Sequence, residues 1–427
     1  MATGTIPHIG VAIKTVRRAK KLSQEGLAQI AFTNRAVIGA IEQGKTDCPT
    51  ELLYAFKKAM DIEHLPMTPA ERPAYVELLN KWYSAISERD NDGAKKLHKQ
   101  LSVIKLLPYD TELNSFFDMY ECRMQILLND FEPAAKTLND YARILDTIDA
   151  IQRYHYYYNQ GTLNLKQGFN ENALDFYKKA YDMTAHGIEK SVALNFNLAL
   201  TYERLGFFAR SATYLEEALT LDTIEKGSVM ELLLCNLLGM NYAFTGVLQR
   251  AKFFLDKAYK IAVNNDSKEY LGMVCINYGL LFRNAKKWNN ALEYLEQALL
   301  YLEDGTENFF KANYNKILCM IGRRGYHFYS GELANMISRT KGNKDFTMLF
   351  ASLEYMATLG SDSAKCLEKE VLPYLMEKNY VHAALDCCTV LMEFYKKQKK
   401  GRKTKAFEMA TIGLTIQTKM HEGEVIV

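Results

Sequence analysis

The sequence predicts an all-α chain, a small N-terminal helical domain followed by a long array of repeated helix pairs. Three observations carry this expectation. The 427 residues include only eight prolines, and no stretch alternates apolar and polar residues as a half-buried strand would. Beyond residue 70, a pattern of small and apolar residues returns at intervals of 38 and 40 positions. Residues 22–45, LSQEGLAQIAFTNRAVIGAIEQGK, fit two short amphipathic helices joined by a tight turn.

In that stretch Leu27, Ile30 and Ala31 fall at i, i+3, i+4, one face of a helix. Ile38 and Ile41 repeat the spacing after a break at Phe32-Thr33-Asn34. Ser23 suits the N-cap of the first helix, Thr33 or Asn34 the N-cap of the second, because their side-chain oxygens accept orphan backbone N–H groups. Gly44 fits the left-handed position just past the end of the second helix.

The strings Leu22-Ser23-Gln24 and Ile41-Glu42-Gln43-Gly44-Lys45, followed by Pro49 and Leu52, resemble the helix-turn-helix of the lambda-type (XRE) repressors from about Ile9 to Ile62. The resemblance implies a five-helix DNA-binding domain over residues 1–62 and a double-stranded DNA operator as partner. It places Gln24 on a phosphate and Asn34 and Arg35 on the first turn of the recognition helix. An Arg there can bond bidentately to guanine in the major groove. Gln43 and Lys45 return to the backbone, and Arg17, counted with this DNA-contacting set, matches the position that pairs with the acid at Glu42. Gly26 departs from the pattern by removing the capping-box partner of Ser23, and Phe32 stands where a small turn residue is common. Ala36, Gly39 and Ala40 are short, so operator shape and phosphate contacts are expected to supply much of the discrimination. Charge agrees: residues 1–60 hold nine Lys/Arg against four Asp/Glu, whereas the whole chain carries only +3.

Pro66, Pro69 and Pro73 mark residues 63–73 as a linker. The repeats then read Gly161, Gly168, Ala173, Tyr177, Ala180; Ala199, Gly206, Ser211, Leu215, Ala218; and Gly239, Gly246, Ala251, Leu255, Ala258. A fourth copy has Gly279, Ala291, Leu295 and Ala298, with Lys286 in place of the turn glycine. Ala135, Asn139 and Ala142 upstream, residues 313–337, and Ala406, Ala410 and Gly413 downstream look like weaker copies. The pattern resembles the tetratricopeptide repeat, with a period somewhat longer than its 34 residues, and implies a right-handed solenoid over 74–427 whose concave face binds extended peptides.

Asn159, Asn197 and Asn277 stand two residues before the small anchor, and Asn236 lies beside the equivalent Leu237. An Asn amide offers both donor and acceptor, so the four are expected to clamp the backbone of a short linear signalling peptide; packing between repeats is the other use of the same residues. Arg204 and Arg283 suit a peptide carboxylate. His155, Tyr158, Phe196, Met240 and Met273 are expected to line the same channel.

The composition speaks against other classes. There is no phosphate-cradling glycine loop, no nucleophile elbow and no His/Cys cluster at metal spacing, so no catalytic residue, metal or cofactor is expected. The eight cysteines read as packing residues, Cys387-Cys388 included, and the run Lys396–Lys405 as a solvated turn. No apolar run approaches 18 residues and no segment reads as a secretory signal, so a cytoplasmic location is expected, with no membrane contact.

A repressor-like head followed by a tetratricopeptide array resembles the RRNPP (Rap/Rgg/NprR/PlcR/PrgX) peptide-pheromone receptors, most of all the NprR-like branch. That resemblance implies a homodimeric quorum-sensing transcription regulator, switched by a peptide in the solenoid groove. The alternative is a Rap-like protein that binds a response regulator or sporulation phosphotransferase and modulates its phosphorylation, for which Gln100, Glu121 and Gln125 would matter.

Overall fold

A computed structural model describes residues 9–60, 71–87, 90–104, 111–221, 224–324, 330–398 and 403–422. Among them there are helices and turns and no strand. The chain divides into two compact units, residues 1–167 and 168–427.

The first unit begins with α1 (Ile9–Ala19), α2 (Gln24–Ile30), α3 (Arg35–Glu42) and α4 (Thr50–Ala59). Four of the five expected N-terminal helices are therefore in place, and residues 61–70 lie outside the described residues. Their apolar faces meet in one small core of Ile13, Leu27, Ala28, Ile38, Ile41, Leu53 and Phe56. The approach of α1 to α3 is close enough that a Cβ on Gly10 would lie 1.7 Å from the Ile41 carbonyl oxygen. Next come α5 (Glu71–Ser87), α6 (Asn91–Val103), α7 (Thr111–Leu127), α8 (Phe131–Ala142) and α9 (Ala150–Lys166). They share a second core centred on the fully buried Trp82, with Leu79, Leu101, Met119, Ile126 and Leu138 around it. Helix α5 already includes residues 71–73, so the end of the expected linker is helical. The upstream copy of the repeat is out of register by one: α8 buries Ala134 and Leu138, while Asn139 and Ala142 face solvent.

The second unit runs through α10 (Asn170–Asp182), α11 (Val192–Arg204), α12 (Phe208–Leu219), α13 (Val229–Phe244), α14 (Leu248–Asn264), α15 (Lys268–Asn284), α16 (Trp288–Tyr301) and α17 (Glu307–Arg324). It continues with α18 (Ser330–Arg339), α19 (Lys344–Ala357), α20 (Ser361–Cys366), α21 (Leu372–Glu377), α22 (Val381–Lys397) and α23 (Lys403–His421). A π turn at Leu367–Val371 joins α20 to α21.

The repeat pattern has a steric origin. An added Cβ on Gly239 of α13 would come within 2.5 Å of the Leu255 Cγ on α14, and one on Gly279 of α15 within 2.5 Å of the Leu295 Cγ on α16. The small residue of the first helix is thus the seat for the leucine of the second. Ala251, Leu255, Ala258, Ala291, Leu295 and Ala298 are all fully buried. Gly206 and Gly246 turn the chain between paired helices with φ of 86° and 82°, a region that strains L side chains. Lys286 does the same with φ 57°, so the missing glycine of the fourth copy changes the residue and keeps the turn. At the far end Phe208 of α12 joins the core built from α17 to α23. The Arg210 guanidinium meets Glu422 at 2.6 Å, and the Lys419 ammonium lies 4.9 Å above the Phe207 ring. The last helix therefore reaches back to α12.

Candidate functional site

Helices α2 and α3 are built as their caps require. The Ser23 hydroxyl accepts from the Gly26 N–H at 2.9 Å, and Asn34 Oδ1 accepts from the Val37 N–H at 2.9 Å. Phe32 bridges them in a left-handed conformation, φ 53°, with its ring almost wholly in solvent. Asn34, Arg35, Gln43 and Lys45 are all exposed, as side chains that read a duplex must be.

Arg17 and Gln24 are placed differently from the contact set. Arg17 is buried, its Nε donating to Glu42 Oε1 at 2.6 Å, its Nη2 to Oε2 at 3.0 Å and its Nη1 to the Leu22 carbonyl at 2.6 Å. A guanidinium so engaged does not reach a phosphate, so Arg17 is corrected from a DNA contact to a strut between α1 and α3. The pairing with Glu42 stands. Gln24 is half-buried and donates from Nε2 to the same carboxylate at 2.8 Å. Burial alone would raise the Glu42 carboxyl, but its hydrogen bonds from Arg17 and Gln24 and the Arg17 charge outweigh it and hold the group below its usual range.

The six groove residues separate. Asn159 belongs to the first unit and is 1% exposed. Its Nδ2 donates to the Met119 carbonyl at 2.7 Å, tying α9 to α7. It is corrected from a clamp to a packing residue. His155 and Tyr158, expected in the channel, are interior as well. The His155 ring is enclosed by Tyr83, Tyr120 and Tyr154, and Arg123 Nη2 donates to the Tyr158 hydroxyl at 3.0 Å. Burial first, and the Arg123 charge second, push the His155 imidazole down to about 3.

The other five lie in the second unit on α11, α13 and α15. Asn197 is half-buried and Arg204 exposed. Asn277 Nδ2 donates to Asn236 Oδ1 at 2.9 Å, so these two amides form a rung from α15 to α13. Arg283 is buried and donates from Nη1 to Asn315 Oδ1 on α17 at 3.0 Å. Arg283 also lines a cavity of about 800 Å³ walled by α13, α15 and α17 on one side and α22 and α23 on the other. Phe244, Trp288 and Ile321 give it apolar surface, and His382 and Asp386 of α22 add polar groups. The Phe244 and His382 rings stack with centroids 3.5 Å apart. Burial, then the nearby Arg283 charge, hold the His382 imidazole well below its usual range. Burial raises the Asp386 carboxyl against the pull of Arg283. Neither residue falls in a recognisable repeat, and no sequence signal singled them out.

Among the described residues no group of His, Cys, Asp and Glu could hold a metal ion, and no helix is long and apolar enough to cross a membrane. Cys387 and Cys388 are both buried and both thiols are raised by burial, as packing residues would be. Of the basic run, Lys396 and Lys397 end α22, Lys403 and Lys405 open α23 with Lys405 Nζ paired to Glu368 at 2.6 Å, and residues 399–402 lie outside the described residues.

A tetratricopeptide-repeat profile matches residues 192–224, a span that includes α11 and α12. The transcriptional activator NprA of Geobacillus stearothermophilus is 23% identical over 349 residues, 76% of this chain and 84% of that protein. The quorum sensor NprR in complex with its cognate peptide NprX superposes with a TM-score of 0.62 at 18% identity, over 80% of this chain and 99% of that one. A Rap protein complexed with competence and sporulation factor gives a TM-score of 0.68 at 17% identity, over 82% and 100%. In sequence and in fold the chain is similar to the RRNPP peptide-pheromone receptors, and within them to the NprR-like branch.

Proposed function

We propose that the chain is a cytoplasmic transcription regulator of the quorum-sensing kind. It binds an operator through α3 and is switched by a short linear peptide held against α11, α13 and α15. Asn34 and Arg35 read base edges, Gln43 and Lys45 hold the backbone, and Gln24 positions Glu42 while facing the phosphate side. Asn197, Arg204, the Asn236–Asn277 rung and Arg283 receive the peptide, and two copies of the chain present paired heads to a two-fold operator. No catalytic step is assigned to it.

The observation that carries this reading is the pairing of two features on one chain. One is a capped, exposed recognition helix with Arg35 at its first turn. The other is a stack of helix pairs with buried amides and an arginine beside an open cavity. The test is selection of genomic duplexes by the purified full chain, then fluorescence anisotropy on the enriched sequence. Arg35→Ala is expected to weaken specific binding by about 1–3 kcal/mol. Equal affinity of wild type and variant for every duplex would overturn the assignment.

A further inference from the structure

The cavity beside Arg283 holds polar groups that the fold leaves unanswered. Asp386 Oδ2 and His382 Nε2 are both buried and neither has a hydrogen-bond partner. They stand four residues apart on α22, so they share one helix face, and both line the cavity. A buried acceptor without a donor is costly, more so when charged. Arg283 approaches the same space from α15, yet its Nη1 bonds to the neutral Asn315 side chain. The cavity thus carries a positive group on one wall and an unpaired acceptor on the other, and Phe244, Trp288, Leu318 and Leu385 add apolar lining. The stacking of Phe244 on His382 fixes the imidazole plane beside Asp386. A volume of about 800 Å³ is within the range of pockets that enclose small ligands.

An occupant that satisfies both walls must offer an N–H donor to Asp386 and an acceptor to Arg283. An amide alone would meet the geometry, but a carboxylate in a low-dielectric site gains most from a charged donor. We propose that Asp386, with His382 beside it, is a specificity-determining acceptor. It selects peptides that place an ammonium or guanidinium group next to the acceptor taken by Arg283. The inference rests on the peptide reading above and adds to it the charge that the peptide must carry at one end of the groove. Either a lysine or arginine side chain or a free amino terminus supplies that chemistry.

The test uses the full-length chain and two synthetic heptapeptide libraries, one with free and one with acetylated amino termini, each randomised position by position. Wild type is expected to enrich Lys or Arg at one position in both libraries, or to retain only free-amine peptides. The first result identifies a side chain and the second the terminus. Asp386→Asn, which keeps the shape, is expected to reduce that preference at least tenfold while preferences elsewhere in the peptide persist. It should also melt no lower than wild type without peptide, because it replaces a buried, unpartnered ionisable carboxyl with a neutral amide that costs less to bury. His382→Gln is expected to weaken the preference without abolishing it. Retained peptides lacking any cationic group, or an unchanged preference in Asp386→Asn, would overturn the inference. Retention of no peptide by wild type would instead overturn the peptide reading itself.

Discussion

Two side chains, Arg17 and Gln24, converge on the Glu42 carboxylate with three hydrogen bonds, and the consequence is rigidity at the place where a DNA-reading head needs it. Arg17 grips both carboxylate oxygens and the Leu22 carbonyl, and Gln24 adds a third donor to Glu42. The network fixes α1, the start of α2 and the end of α3 to one another. Removing the guanidinium leaves a carboxylate buried against Gln24 alone, so Arg17→Ala should destabilise the head by about 3–5 kcal/mol. Hydrogen exchange should show lost protection across α2 and α3 and unchanged protection across α11–α17. His155 offers a second prediction at the same scale. Its folded imidazole titrates near 3 and an unfolded one near 6.5. The unfolded chain therefore binds more protons between those values, and stability falls as pH falls through that window. His155→Phe, which keeps a ring among Tyr83, Tyr120 and Tyr154, should show a shallower loss of melting temperature from pH 6.5 to pH 4. Parallel slopes for variant and wild type would mean that His155 titrates elsewhere.

At the scale of the element, the sequence was most legible where sterics leave few residues. Only a very small residue fits at 239 and 279 against Leu255 and Leu295, and that need wrote the repeat into the chain. Gly239→Ala should cost roughly 1–3 kcal/mol, since the added methyl must push Leu255 from its seat in a packed interface. Thermal denaturation of the variant should show a lower melting temperature, and an unchanged one would mean that the helix pair can open. The turn after α15 predicts the opposite sign. Lys286 holds φ at 57°, and Lys286→Gly should raise stability by roughly 0.5–1 kcal/mol by relieving that conformation. Where the chemistry admits two uses, the pattern could not choose. Asn159 and Asn277 share a register, yet one ties α9 to a backbone carbonyl on α7 and the other pairs with Asn236 across a rung. Periodicity gives the face of a helix and leaves open which neighbour an amide meets there. Arg17 is similar: its acid partner Glu42 is legible in the sequence, but the burial that turns the guanidinium inward and away from a phosphate is not. The register of α8 slipped for a related reason, because Ala134 and Ala135 are adjacent and only packing decides which is inside.

At the scale of the whole molecule, the least legible part is the C-terminal stretch. Helices α18 to α23 carry at most weak copies of the repeat, such as Ala406, Ala410 and Gly413, yet α23 returns to α12 and, with α22, completes the cavity wall that Arg283 begins. Contacts 212 residues apart in sequence, such as Arg210 with Glu422, have no local signature. They matter because a peptide regulator is defined by the coupling between its two binding events, and coupling is a property of the whole chain. If peptide and operator act on one equilibrium, the factor by which saturating peptide changes operator affinity must equal the factor by which saturating operator changes peptide affinity. Couplings of this kind usually amount to about 1–3 kcal/mol, or roughly 5–150-fold. Anisotropy titrations with a selected peptide and a selected duplex, each with and without the other ligand, measure both factors. We expect them to agree and to differ from one. Factors of one in both directions would make the head and the repeats independent binding modules on a single chain. In Asp386→Asn the peptide affinity should fall for cationic peptides while the coupling factor measured at saturation stays the same, because a residue that selects the ligand acts on how much peptide is bound and not on which state the bound peptide favours.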